Sequence, residues 1–345
     1  MLHFECDYLE GAHPQILQKL IDTNMDKTPG YGFDSYCESA KEKIREACKC
    51  PNAEIHFLVG GTQTNSTVIK ALLRPYEGVI SADTGHINVH EAGAIESGGH
   101  KVLTLPNKEG KLVASDIEKY LDTFYKDATN IHMVQPGMVY VSQPTELGSL
   151  YSKKELEELS DLCKRHHLHF YLDGARLGYA LMAEENDATL EDIANCCDAF
   201  YIGGTKVGAL FGEAIVFTKQ GLIKNFFSSI KQNGVVLAKG RLLGIQFDTL
   251  FTDGLYYKIS QHAIDMAKKL TDGLEEAGCK FYYKSPTNQQ FIILDNKTME
   301  KLAEKVTFGF WETMNENETA IRFCTNWATD ENDVDALIET IKELI

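Results

Sequence analysis

The stretch "CCDAFYIGGTKVGALFGEAIVF", residues 196–217, sets one lysine inside an almost unbroken run of small and apolar residues. The run predicts a buried strand, a glycine-rich turn and a second buried strand. An unpaired ammonium is costly to bury, and burial lowers its pKa. Lys206 therefore has two readings. Its stem snorkels to water from a strand end, or it is an amine kept neutral enough to attack a carbonyl, as Schiff-base lysines are.

Working outward, short apolar runs alternate with amphipathic ones. "EIHFLV" (54–59), "GVISAD" (78–83), "NIHMVQ" (130–135), "HLHFYLD" (167–173), "AFYIGG" (199–204) and "GEAIVFTK" (212–219) predict strands. Helices are predicted over 62–75, 114–127 and 152–167, the last opening on a Ser152/Glu155 capping box. Strand and helix in alternation imply an α/β domain with a mostly parallel sheet and helices on both faces. From about residue 220 the pattern turns helical, including a long segment from Leu237 to Leu250. Beyond it come another helix, short strands near 280–283, 290–294 and 319–327, and a closing helix at 331–344. The expected division is a large domain over 1–250 and a small α+β domain over 251–345.

A chain of 345 residues, 43% hydrophobic, can bury a core of that size. Its net charge of -16, with no long basic block, argues against nucleic acid or an anionic membrane as partner. "MLHFECDYLEGAHPQ" lacks a basic region followed by an apolar one, and no run approaches a membrane span, so a cytoplasmic protein is expected. Nine cysteines, an odd number without paired CxxC spacing, argue against a disulfide framework or a structural zinc site.

In such sheets ligands sit at the carboxyl ends of strands. After the first strand, Gly60, Gly61 and Thr62 open a helix, which suits a phosphate: the glycines permit close approach and the helix end offers free N–H groups. The stretch lacks the Walker lysine and the GxGxxG pattern. After the next strand, His86 and His90 stand four apart, without the H-E-x-x-H of a zinc protease. Either a ring such as His86 lies flat against a planar cofactor, or both imidazoles sit idle on a surface helix. Asp173 ends an apolar strand, where a carboxylate needs a partner, and Arg176 follows closely enough to be that partner. A phosphate site, a buried acid and a buried lysine together answer the needs of pyridoxal 5'-phosphate (PLP): an anchor, an acid at the pyridine nitrogen and Lys206 for the aldehyde.

The stretches "GGTQTN", "GHINVHEAGAIE", "QPTELGSLYS", "YLDGARLGYA", "YIGGTKVGALFGEA" and "IRFCTNWATDENDVDALI" resemble the low-specificity L-threonine aldolases, β-eliminating lyases of the fold-type-I (PLP-dependent transferase-like) class. The resemblance runs in order along nearly the whole chain. It implies retro-aldol cleavage of L-threonine or L-allo-threonine to glycine and an aldehyde, with Lys206 as the internal aldimine lysine and Asp173 at the ring nitrogen. It implies that His86 stacks on the ring and orients a water or acts as base, and that Gly61 and Thr62, with Gly60, hold the phosphate. Arg176, which also borders the cofactor, and Arg322 match positions that bind the substrate carboxylate. A homotetramer is implied, in which Tyr31 and Asp34 reach a neighbour's site and Lys239, or else Arg241, reaches its phosphate. Two departures stand out. Cys6 occupies a place where relatives often carry a carboxylate-binding serine, and Gln143 and Glu146 stand where some relatives carry a second histidine. Other PLP readings are a different amino-acid lyase, an aminotransferase or a catalytically silent binding protein. Outside PLP chemistry stands a nucleotide-binding α/β protein.

Overall fold

The apolar runs between residues 54 and 217 are drawn into one sheet, because each is too short for a helix and each must hide two apolar faces. The computed structural model describes residues 1–345. Its strands, in chain order, are β1 (Leu2–His3), β2 (Glu54–Leu58), β3 (Glu77–Ala82), β4 (Val102–Leu105), β5 (Gln135–Ser142), β6 (His169–Asp173), β7 (Ala199–Gly203) and β8 (Glu213–Phe217). They continue with β9 (Lys280–Tyr283), β10 (Gln289–Asp295), β11 (Val306–Thr307), β12 (Gly309–Thr313) and β13 (Glu318–Cys324). The main sheet has seven strands in the order β2-β8-β7-β6-β5-β3-β4. β4, β3, β5, β6 and β7 run parallel, and β8 runs against its neighbours β7 and β2.

Both faces of this sheet are covered, and the strand period of two divides the side chains between them. In β6 and β7, Phe170, Leu172, Phe200 and Ile202 enter one apolar cluster, whereas Tyr171, Ala199 and Tyr201 enter the cluster on the opposite face. The helix Lys153–His166 carries the Ser152/Glu155 capping box and buries Leu156, Leu159 and Leu162 against the first face. The second sheet is antiparallel, in the order β12-β13-β10-β9, over a third cluster that includes Ile292, Ile321 and Leu337. The long helix Leu255–Glu276 serves two clusters: Tyr256, Ile259 and Ala263 pack into the first, and Met266, Leu270 and Leu274 into the third. The N-terminus closes the second unit, since β1 pairs with β11 and Phe4 joins the third cluster. No helix is long and apolar enough to cross a membrane.

Two local expectations change. "NIHMVQ" is a 3-10 turn at Asn130–His132, and the strand is the next segment, Gln135–Ser142. Pro136 and Gly137 disguise it, yet Gly137 is needed there, because a Cβ would lie 2.7 Å from Leu73 and 2.9 Å from Glu77. The helix predicted from Leu237 begins only at Arg241, since Ala238 accepts a hydrogen bond from Tyr31 N–H at 3.1 Å and Gly240 packs on Gly32. Strands β1, β4, β11 and β12 and the helix Asn296–Ala303 lack a strong sequence pattern.

The directions of β2, β3, β5, β6 and β7 bring their C-terminal ends to one edge of the sheet. Two glycines permit the closest approach there. Gly203 N–H donates to Gly174 O at 2.9 Å, and a Cβ on Gly174 would lie 2.0 Å from the Tyr201 carbonyl oxygen. That obstacle is backbone and cannot rotate away. Gly174→Ala is expected to lower the unfolding free energy by at least about 1–3 kcal/mol, read from urea unfolding; an unchanged midpoint would contradict this packing.

Candidate active site

The strand ends enclose a cleft of ≈ 280 Å³ lined by residues that include Gly60, Gly61, Thr62, His86, Asp173, Arg176 and Lys206. Asp173, the last residue of β6, is 4% exposed. Its Oδ2 accepts from the Tyr140 hydroxyl at 2.7 Å and from Asn65 Nδ2 at 2.9 Å, and its Oδ1 from Ala175 N–H at 3.0 Å. Burial pushes this carboxyl up. The His86 charge and hydrogen bonds from Tyr201, Tyr140 and Asn65 more than offset it, so the group lies below the ordinary aspartate value. Asp173 is thus held ionised without a direct cationic contact.

Asn65 uses its whole amide in this network. Nδ2 donates to Asp173 and, at 2.7 Å, to Glu91 Oε1, while Oδ1 accepts from the Tyr171 hydroxyl at 2.8 Å. Glu91 is buried and its Oε1 also meets His86 Nδ1 at 2.8 Å, which fixes the imidazole through one nitrogen. His90 sits beside it, with ring centroids 5.7 Å apart.

Lys206 lies on the turn between β7 and β8. Burial, and then the Arg176 charge, push its amine below the usual lysine value, against the pull of Asp7, Asp173 and Glu213. Glu213, at the start of β8, is buried as well, and burial raises its carboxyl to about 8. Its two oxygens accept from the Thr205 hydroxyl at 2.8 Å and Gly204 N–H at 3.1 Å, so it also shapes the lysine turn. The helix Gly61–Leu72 opens on the opposite wall with Gly60 as N-cap and no side-chain cap, leaving first-turn N–H groups available. Nothing lies within 4 Å of where a Gly60 Cβ would stand.

Arg176 does not pair with Asp173. Its Nε and Nη2 donate to the two carboxylate oxygens of Asp7, at 2.6 and 3.1 Å, and Nη1 makes no hydrogen bond. Cys6, Tyr31, Lys239 and Arg322 do not line the cleft. Cys6 is buried next to Asp7. Arg322, on β13, donates to Gln289 Oε1 and Glu5 O, and its buried Nε has no partner. Tyr31 and Lys239 share an outer surface where the loop around Gly30 packs on Ala238 and Gly240. Arg241 is consumed there by the carbonyls of Thr23, Asn24 and Asp26, whereas Lys239 has no hydrogen bond or ion pair.

Residues 6–327 match the family described as Beta-eliminating lyase. The chain belongs to that family. Among β-eliminating lyases and their kin it is 30% identical to the low-specificity L-threonine aldolase of Pseudomonas aeruginosa, covering 99% of this chain and 95% of that one. It is 43% identical to a solved Leishmania major threonine aldolase, with a TM-score of 0.96 and coverage of 100% and 99%. Thermus thermophilus aspartate aminotransferase, at 15% identity and a TM-score of 0.73, covers 100% of this chain and 92% of its own; it shares the fold alone.

Asn65, Glu91, Tyr140, Tyr171, Tyr201, Glu213 and Asp7 escape a sequence reading of this lyase. Tyrosines inside apolar strands read as core, and the partners of Asn65 lie 26 to 108 residues away. A weak signal exists for Glu213, an acid starting an apolar strand, as Asp173 ends one.

The Asp7–Arg176 pair makes this site pH-dependent in a defined sense. Burial opposes ionisation, yet Arg176 and then Lys206 hold Asp7 down at about 2, from 3.8. A depressed acid stabilises the fold above its unfolded pKa and loses that contribution as pH falls through the folded one. Asp7→Asn is expected to cost about 3–5 kcal/mol at neutral pH, since it strands a buried guanidinium. The gap to wild type should narrow by about 2 kcal/mol as pH falls from 3.8 toward 2. Urea unfolding of both proteins across that range checks it; a gap constant with pH would contradict the pairing.

Proposed function

We propose that this protein is a PLP-dependent lyase that cleaves L-threonine and L-allo-threonine to glycine and acetaldehyde. One observation carries the cofactor reading: a lysine with a lowered pKa, an ionised buried carboxylate and an uncapped helix N-terminus share one cleft. The residues fit PLP in chemistry, and the cleft is open enough to admit a small phosphorylated ring. Membership of the β-eliminating lyases and the likeness to threonine aldolases of P. aeruginosa and L. major support the substrate.

When bound, PLP supplies an aldehyde for amines and a protonated ring that accepts the electron pair released at Cα. Gly60, Gly61 and Thr62 would hold its phosphate on the helix N-terminus. Asp173 would accept from the pyridine N–H, and Tyr140 and Asn65 keep that carboxylate ionised and in place. His86, fixed by Glu91, offers a flat imidazole to the ring. Lys206 would hold the aldehyde carbon, and its amine, whose pKa burial lowers, would be placed to move protons at Cα. Arg176, through its unengaged Nη1, would bind the substrate carboxylate; Arg322 and Cys6, given that role by resemblance, lie outside the cleft lining. Tyr31 and Lys239, exposed and on one surface, would face the site of a second copy in a homotetramer.

The test is the absorption spectrum of purified protein, wild type beside Lys206→Ala, with borohydride and then with L-threonine. Wild type is expected to show a visible band that borohydride fixes covalently, and to release acetaldehyde. The variant is expected to hold the cofactor reversibly and to fall at least about 10³-fold in turnover. A protein that PLP cannot colour would return Lys206 to a snorkelling strand-end lysine. Formation of a 2-oxo acid in place of an aldehyde would assign an aminotransferase.

A further inference from the structure

One acid lining the cleft, Glu146, is left without a role among the residues that would hold PLP. Glu146 lies in the turn after β5 and is half-buried. Its Oε1 accepts from the His86 backbone N–H at 2.8 Å and from the Ser142 hydroxyl at 2.8 Å. Ser142 is the register partner of Asp173 across β5 and β6, so the carboxyl is tied between two walls of the site. Oε2 accepts from no other residue and is not sealed in the interior, and no lysine or arginine pairs with the group.

The other acids lining the cleft differ. Both oxygens of Asp173 are engaged, as are both of Glu213. Gln143, the other polar side chain of the turn, is fully committed to Tyr151: Oε1 accepts from its N–H at 2.9 Å and Nε2 donates to its carbonyl at 3.1 Å. Glu146 alone among these lines the cleft with an oxygen that accepts from no other residue. Burial raises its carboxyl above the ordinary glutamate value, against hydrogen bonds from Ser142, its own N–H and the His86 N–H, the direction that makes a carboxylate a stronger base.

The geometry points to Glu146 Oε2 as the catalytic base that takes the β-hydroxyl proton of the substrate, an inference that rests on the aldolase reading. The O–H bond breaks and its proton goes to Glu146. Its electron pair closes the aldehyde C=O, and the pair of the broken Cα–Cβ bond stays with Cα. Cα then takes a proton that comes from water through the Lys206 amine, and Glu146 gives its own to water, so no proton is gained or lost. His86 contributes its backbone N–H, which aims the carboxyl.

The test compares holoenzyme with Glu146→Gln, which keeps an acceptor for His86 and Ser142 but cannot take a proton. Acetaldehyde release from L-threonine is expected to fall about 10²–10⁴-fold. Exchange of the glycine α-hydrogen with D2O, which needs no hydroxyl proton, and PLP affinity by absorbance titration should stay within about threefold. Cleavage within about tenfold of wild type, or an equal fall in glycine exchange, would overturn the assignment. If E146Q does not fold, Glu146→Asp withdraws the carboxyl by one methylene. It should slow cleavage while sparing exchange, and undiminished cleavage would overturn the assignment. Wild type that takes up PLP and exchanges glycine but releases no aldehyde would sink the aldolase reading itself. That failure appears in the wild type, not the variant.

Discussion

The buried charge of Asp173 is the constraint on which the site is built. A carboxylate at the end of an apolar strand is tolerated only when donors replace the water it loses. Here the donors are Tyr140, Asn65 and the Ala175 N–H, each from a different element or turn. Asn65 does most to set distances. It stands four residues after Gly61, one helical turn, so one face of the helix carries the open N-terminus at its start and the amide that grips Asp173 a turn later. The spacing between an anion site and a buried acid is thereby fixed by helix geometry. The same amide holds Glu91, and Glu91 holds His86.

Charge elsewhere in the cleft follows from this. Lys206 and Arg176 share the cleft with Asp173 and Glu213, with Asp7 behind Arg176, and burial shifts the lysine amine and the Glu213 carboxyl toward their neutral forms. Asp7 takes Nε and Nη2 of Arg176 in a two-bond fork, whereas Lys206 has no such partner and its amine is the cation that burial pushes toward neutrality. Glu213 responds in the opposite direction, and its hydrogen bonds to Thr205 and Gly204 place that response on the lysine turn itself. A basic amine and an acid that both depart from their usual pKa, one down and one up, are the mark of a site arranged for proton movement near neutral pH.

Much of the fold is legible in the sequence because both-face burial writes strands as short apolar runs. β2, β3, β6, β7 and β8 are of this kind, and the capping box at Ser152 marks its helix. β5 is misplaced because Pro136 and Gly137 interrupt its pattern, although the close approach of Leu73 demands the glycine. β1 and β11 are two residues each and exist only by pairing across the length of the chain. The site follows the same division. Gly60, Gly61, Thr62, His86, Asp173, Arg176 and Lys206 are visible as strand-end residues and meet in one cleft. The network behind them is not, because a tyrosine in a strand carries no sign that its hydroxyl serves a carboxylate. The Asp173–Arg176 pairing suggested by sequence proximity gives way to Asp7, which local spacing could not reveal.

Asp173, held ionised by its donors, would keep the ring nitrogen of bound PLP protonated. The direct measurement is the ¹⁵N NMR spectrum of the protein reconstituted with PLP labelled at the pyridine nitrogen, recorded across the pH range in which the protein stays folded. A protonated nitrogen whose resonance does not move with pH is expected, and loss of that signature in Asp173→Asn. A nitrogen that titrates, or that is unprotonated throughout, would contradict it.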